Sequence, residues 1–243
     1  MKIKKRSSLK KIFLPLLILL TSTLSSNEVS FFKSKQTLRD YIYDDNQITF
    51  YCNNPYYKKR VGRYPKLFIT QNNSIYTPRN IYTKKGKINK RARMVEWEHV
   101  MPAHNFGRHL DCWKKGGRKE CRNDKLFNIM EGDMHNLVPS IGEVNGDRLN
   151  FKYSHNTPNK RQYGECPVEI DFKYRRISVK QDIHGDIARI YFYMSDKYNI
   201  NLSKKEIKLF TAWNIEDPVD AWEIEKNKRV HATQGNYNKY ISN

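Results

Sequence analysis

Four cysteines, Cys52, Cys112, Cys121 and Cys166, limit what this chain can become, because all four lie beyond an N-terminal stretch laid out like an export signal. That stretch reads MKIKKRSSLKKIFLPLLILLTSTLSS. Lys2, Lys4, Lys5, Arg6, Lys10 and Lys11 make a basic start, Ile12 to Leu20 a short apolar run, and small residues follow to Ser26, which is the three-part order of a secretory signal. The apolar run is about half of the roughly 20 residues that a spanning helix needs, and Pro15 interrupts it. Residues 1–26 are therefore expected to be removed as a signal peptide, and residues 27–243 to fold as one domain in a periplasmic or secreted setting. In an oxidising compartment an even cysteine count reads as two disulfides. No pair has the Cys-x-x-Cys spacing of a zinc knuckle. Three connectivities are open. The most economical closes the basic turn between Cys112 and Cys121, WKKGGRKE, and leaves Cys52 with Cys166.

Charge narrows the partner. Removing 26 of 243 residues leaves 217, and losing six basic residues takes the formal net charge from +20 to +14. That length suits one domain with a sizeable core. Such a charge favours polyanions: nucleic acid, anionic lipid or acidic polysaccharide. Solubility alone is the plain alternative. A hydrophobic fraction of 38% with 16 Tyr and 4 Trp is too rich for a disordered chain. No segment after the leader reads as membrane-spanning, and no basic helix with a continuous apolar face stands out, so a lipid surface is the weaker reading.

The coarse pattern mixes helices and strands. SKQTLRDYIYDD reads as a first helix and QITFYC as a strand ending at Cys52. Asn53 to Lys90, rich in Tyr, Lys, Asn and Pro, reads as loops with short strands, and Asn72 to Ser74 is an incidental Asn-x-Ser sequon. MVEWEHV alternates, so Met94 to Val100 reads as a strand. GDIARIYFYMSDKYNI places Ile187, Ile190, Tyr191, Met194 and Tyr198 at helical spacing. Ser203 and Glu206 form a capping-box pattern for the next helix. Asp217 as N-cap, Pro218 at the first position and Gly235 as stop predict a last one.

The chemistry concentrates in RMVEWEHVMPAHNFGRHLDCW, where Glu98 directly precedes His99. Strict alternation puts the two on opposite faces, so they share a site only if the strand ends or twists there, and Pro102 supplies a reason by removing a ladder donor. Further on, DMHNL begins with a capping type of residue and places Asn136 near an expected helix start. A charged oxygen from Glu98 and a neutral one from Asn136 would suit magnesium, which keeps few protein ligands and several waters. A neutral His99 could take a proton from an attacking water. Arg118, in KKGGRKECR, could grip a phosphate through two parallel hydrogen bonds. Lys114, Lys115, Lys119 and Arg122 surround it as candidate nucleic-acid contacts. Taken singly, a Glu-His pair is weak, and a basic turn is most simply a solvated one.

Together the segments carry more. EWEHVMPAHNFG, CWKKGGRKEC, DMHNLVPSIGEVNGDRLNF, YGEC, GDIARIYFYM, AWNIEDPVDAWE and QGNYN stand in an order that resembles the bacterial endonuclease I family, periplasmic or secreted non-specific DNases that often cut RNA as well. The likeness runs from about Tyr51 to Asn238. It implies an α+β fold, a single mixed domain around a ββα-metal motif, stabilised by disulfides. It also implies His99 as general base, Glu98 and Asn136 as ligands of one magnesium ion, and Arg118 on the scissile phosphate. Manganese or calcium would stand in for magnesium in vitro. The expected partners are DNA and RNA, held through the phosphate backbone by a monomer, with 5′-phosphate products and no membrane once the signal is gone. A secreted polyanion binder with weak or lost catalysis is the alternative.

Departures from the family pattern are visible. Cys52-Asn53-Asn54 stands where many members read Cys-Gly-Cys, and Ile224 replaces a further cysteine. His104 stands in place of a common tryptophan, and His184 in place of a common arginine.

Overall fold

The computed structural model describes residues 30–71, 75–155 and 160–242. The expected signal peptide and the Asn72–Ser74 sequon lie outside these residues. Ser30 caps helix α1 (Phe31–Thr37) by accepting from the Lys33 amide, and the chain runs on through a π turn, Leu38–Ile42. The first expected helix is therefore present.

QITFYC is not a strand. Ile48 makes only an isolated bridge to Pro55, and the Thr49 amide bonds back to Asn54 O at 2.9 Å. Asn53 sits in the left-handed region at φ 53°. The turn places Cys52 on Cys166 and sends Tyr51 into the core at 1% exposure. Tertiary burial and the disulfide outweigh the β-propensity of the segment. The second bridge joins Cys112 to Cys121, so the economical pairing holds.

Strands β1 (Tyr56–Val61) and β2 (Tyr64–Ile69) form a hairpin. Strand β3 (Val95–His99) is the alternating segment the sequence predicts. Helices α2 (Ala103–Gly107), α3 (Asp111–Gly116) and α4 (Lys125–Glu131) then form an excursion clipped by Cys112–Cys121. The chain returns as β4 (Leu137–Ile141), antiparallel to β3, with Glu98 opposite Val138 and His99 opposite Leu137.

This return corrects one expectation. Asp133 does cap, accepting from the His135 amide, but it opens only a single 3₁₀ turn, Met134–Asn136, before β4. All five β4 residues are buried, and Pro139 has no amide to continue a helix. The helix comes one element later, as α5 (Gly142–Arg148). Two antiparallel strands followed by a helix thus form the frame around the Glu-His pair.

Strands β5 (Lys152–Tyr153), β6 (Glu169–Asp171) and β7 (Arg176–Ser178) make a small mixed sheet in the order β5-β7-β6. Helices α6 (His184–Tyr198), α7 (Lys204–Glu216) and α8 (Ala221–Gln234) cover the core. The Ser203/Glu206 capping box is formed, and Gly235 ends α8 at φ 88°. Asp217 does not cap α8. It ends α7 and accepts from the Gly185 amide at 2.8 Å, while Asp220 and Glu223 make the capping box that starts α8. A buried Arg189–Glu223 pair fastens α6 to α8. The fold is an α+β mixture with two disulfides, and no helix among the described residues is long and apolar enough to cross a membrane.

Candidate active site

A cleft of about 380 Å³ opens where β3, α5 and the basic turn meet, and its lining includes Glu98, His99, Arg118, Asn145 and Arg148. A larger cavity of about 500 Å³ beside Tyr57, Phe68 and Met94 has neither carboxylate nor imidazole in its lining. Chemistry therefore points to the smaller one. The pleat should part Glu98 and His99, yet both border the same cleft. The β3–β4 pairing stops at His99, the Val100 amide turns to Asn136 O at 3.0 Å, and α2 starts directly after Pro102.

Glu98 is 3% exposed. Its Oε1 accepts from Arg148 Nη1 at 2.9 Å and from the Tyr51 hydroxyl at 3.2 Å. The Tyr51 hydroxyl is in turn 2.6 Å from that of Tyr153. Burial raises the Glu98 carboxyl to about 7, with Arg148 pulling the other way. No hydrogen bond reaches Oε2 among the described residues.

His99 Nε2 lies 2.8 Å from the Glu131 carbonyl oxygen. A carbonyl only accepts, so Nε2 carries the proton and Nδ1 keeps its lone pair. The ring lies against Phe31 (4.9 Å between centroids) and Phe106 (5.8 Å). Burial first, with Arg118, Arg148 and Lys35 adding to it, lowers the His99 pKa to about 3. At neutral pH the imidazole is uncharged and oriented, as a base must be.

Gly117, at φ 69°, turns the chain after α3 and brings Arg118 to the rim. Arg118 Nε donates to Glu131 Oε1 at 2.6 Å. Glu131 thus holds His99 with its backbone and Arg118 with its side chain. The terminal guanidinium nitrogens of Arg118 make no hydrogen bond among the described residues, and the side chain is half-exposed. Lys114, Lys115, Lys119 and Arg122 are exposed around the same turn but do not line the cleft. Lys114 is paired with Asp111 at 2.9 Å.

Asn136 stands elsewhere. It is fully buried, its Oδ1 accepts from the Met101 amide at 2.7 Å, and its Nδ2 donates to Met101 O at 3.0 Å. Both polar ends are committed to bracing the chain after β3, and Asn136 is not among the residues that line the cleft. The asparagine that borders the cleft is Asn145, in α5. Its Nδ2 donates to Glu96 Oε2 at 3.1 Å, and Glu96 is fixed by Arg91. Asn145 Oδ1 makes no hydrogen bond among the described residues. The GEVNGDR motif held this residue in plain view. The misplaced helix start is what favoured Asn136.

Sequence reading also passed over Arg148, one of 45 Lys and Arg residues with nothing local to mark it. It is fully buried, binds Glu98, donates to His99 O at 2.9 Å and Val100 O at 2.6 Å, and lies over the Tyr153 ring. The cleft therefore offers two oxygens without partners, one charged and one neutral. That donor set fits a hard divalent cation completed by water.

A family model described as Endonuclease I matches residues 28–243. The chain is 42% identical, over 94% of its length and 97% of the relative's, to an extracellular deoxyribonuclease of Aeromonas hydrophila. It is 41% identical, over 94% and 92%, to a periplasmic deoxyribonuclease of the same species. To endonuclease-1 of Buchnera aphidicola subsp. Acyrthosiphon pisum it is 42% identical, over 89% and 86%. Likeness of this extent, spanning the β3–β4–α5 frame and every element that feeds the cleft, makes the chain a member of the endonuclease I family.

Proposed function

We propose that the chain is an exported, sequence-non-specific endonuclease that hydrolyses phosphodiester bonds of DNA, and of RNA, leaving 5′-phosphate ends. It works as a monomer, in the periplasm or outside the cell, after residues 1–26 are removed. The observation that carries this reading is the tautomer of His99, fixed by the Glu131 carbonyl so that Nδ1 keeps its lone pair on an imidazole lining the same cleft as Glu98 and Arg118. Glu98 Oε2 and Asn145 Oδ1 would hold one Mg²⁺, with Mn²⁺ or Ca²⁺ as in vitro substitutes. Bound there, the ion supplies charge stabilisation to the phosphate and the departing oxygen. His99 Nδ1 removes a proton from the water that attacks phosphorus. The bond to the 3′-oxygen breaks, and the phosphate stays on the 5′ side. Arg118 pairs with the non-bridging oxygens as their charge grows. Lys114, Lys115, Lys119 and Arg122 add backbone contacts, which carry no sequence information.

The deciding assay is digestion of supercoiled plasmid with Mg²⁺, with and without chelator. Cutting that the chelator abolishes supports the reading. Tight DNA binding with no cleavage under either condition would leave a polyanion-binding protein instead.

Two expectations separate the cation's ligands. Asn145→Ala should raise the Mg²⁺ needed for half-maximal activity, because a small ligand set feels each loss. Asn136→Ala should leave that midpoint unchanged and lower the melting temperature, since its removal strands two buried backbone groups of Met101. A midpoint that moves with Asn136 and not with Asn145 would reverse the assignment.

The Mg²⁺ midpoint should also depend on pH. Glu98 binds the cation only when ionised, and its carboxyl is raised to about 7. Below that value each pH unit cuts the ionised fraction about tenfold, so the midpoint should climb by up to about tenfold per unit as pH falls below neutral, and level off above it. His99 stays neutral throughout and adds nothing to this slope. Mg²⁺ titrations at several pH values read it directly, and a flat profile across neutrality would contradict it.

A further inference from the structure

Away from the cleft, His155, His184 and Glu216 bring one donor atom each to within 4.8 Å of one another, and no other such group of three His, Cys, Asp or Glu is found among the described residues. They come from three elements: the chain after β5, the first residue of α6 and the last residue of α7. His184 Nδ1 lies 3.7 Å from Glu216 Oε2, and His155 Nε2 lies 4.0 Å from Glu216 Oε1. Two donors tetrahedrally bound to zinc at about 2.1 Å stand roughly 3.4 Å apart. These two distances run to different carboxylate oxygens, and the three donors spread over up to 4.8 Å, so around one ion the group closes by as much as ~1.4 Å and His155 Nε2 gives up the hydrogen bond it accepts from Trp213 Nε1 at 3.1 Å.

The central donor is what makes this more than three neighbouring polar groups. His184 is 6% exposed, and its Nδ1 is fully buried without a hydrogen-bond partner. A buried lone pair left unmade is costly. The ring cannot swing away, because it stacks on Trp213 at 3.8 Å with planes 8° apart, and the Val179 backbone is its other polar neighbour. His104 and His231 also carry an orphaned Nδ1, but neither belongs to a group of donors. Glu216 adds a second argument. It is an acid on the last residue of a 13-residue helix, where the backbone already presents negative charge. A cation there relieves the like-charge conflict.

We propose that His155, His184 and Glu216 form a second metal site, selective for a borderline transition-metal dication such as Zn²⁺ over Mg²⁺, which clamps the chain after β5 to the α6–α7 pair. Two imidazoles and one carboxylate with room for a water form a donor set for zinc, cobalt, nickel or copper, whereas magnesium prefers oxygen alone. The site shares no residue with the cation proposed for Glu98 and Asn145, so either can fail without the other.

The test uses the mature, untagged, disulfide-bonded protein. Co²⁺ is titrated while the visible absorption of low-coordinate cobalt is followed, and Zn²⁺ binding is measured by calorimetry with Mg²⁺ in excess. The expected result is one equivalent bound, with a cobalt spectrum that Zn²⁺ abolishes and Mg²⁺ does not. Glu216→Gln and His155→Gln alter partly exposed side chains, and an amide keeps an acceptor for the hydrogen bond that His155 takes from Trp213 Nε1 at 3.1 Å, so both should leave the fold intact. Each should weaken Zn²⁺ binding by about tenfold or more and remove the rise in melting temperature that Zn²⁺ gives the unaltered protein. Plasmid cleavage in Mg²⁺ should be unchanged in both. Zn²⁺ binding that survives both substitutions, or is lost instead on Glu98→Gln, would overturn the proposal, as would the absence of any binding to the unaltered protein.

Discussion

His99→Ala should lower turnover by about 10²–10⁴-fold, the usual worth of a positioned general base, while affinity for uncut duplex barely changes. The geometry explains why binding is spared. The His99 ring gives its one hydrogen bond among the described residues to the Glu131 carbonyl and packs against two aromatic rings, so its contribution to a bound phosphate begins when a proton must leave water. The loss should appear in kcat and kcat/KM together, as for an interaction made only in the transition state. Truncation also opens space against Phe31 and Phe106, so added imidazole should restore part of the rate. Neither His99→Gln nor an aliphatic replacement can accept that proton at neutral pH. Cleavage rates and duplex binding in Ca²⁺ for the same variant decide the matter. Near-normal turnover of His99→Ala would remove the base from this cleft.

Why some of this was legible in the sequence and some was not follows from the range of the forces involved. Alternation in MVEWEHV and helical spacing in GDIARIYFYM are local, and β3 and α6 lie where they predict. The disulfide pairing was legible because a short basic turn lies between Cys112 and Cys121. Errors fell where tertiary contacts overrode a local signal. Tyr51 is drawn into a turn by Cys52–Cys166 and by its hydroxyl contacts with Glu98 and Tyr153, so a β-rich hexapeptide is not a strand. Asp133 caps as an N-cap should, but buried Leu137 to Ile141 pair with β3 instead of continuing a helix. The expected helix start is what pointed to Asn136, whereas the asparagine that lines the cleft is Asn145 in the helix after β4. Asp217 failed as the cap of α8 because Asp220 has Glu223 three residues on to complete a reciprocal box. Arg148 was beyond reach, since nothing in its local sequence tells a fully buried guanidinium from a solvated one.

Arg148→Met should be among the most destabilising single changes in the domain. The guanidinium is entirely buried, neutralises Glu98, and satisfies the carbonyls of His99 and Val100 at the end of β3. Removing one partner of a buried pair costs about 3–5 kcal/mol, mostly for the charge left behind. At the scale of a domain this size that is roughly 6–20 °C in melting temperature. Glu98 has an escape, because its carboxyl is already raised to about 7. Without Arg148 it should take up a proton at neutral pH, which limits the unfolding penalty but deprives the cation of its charged ligand. Arg148→Met should therefore also raise the Mg²⁺ midpoint, although Arg148 itself donates nothing to a cation. Arg148→Lys, which keeps the charge but cannot bridge three acceptors in one plane, should fall between. The double variant Arg148→Met with Glu98→Gln distinguishes a charge effect from lost packing. Neutralising both partners should recover much of the stability, because no buried charge is left unpaired. If the double variant instead loses the sum of the two single losses, the two side chains do not act as a pair, and Arg148 supports the end of β3 through the His99 and Val100 carbonyls alone.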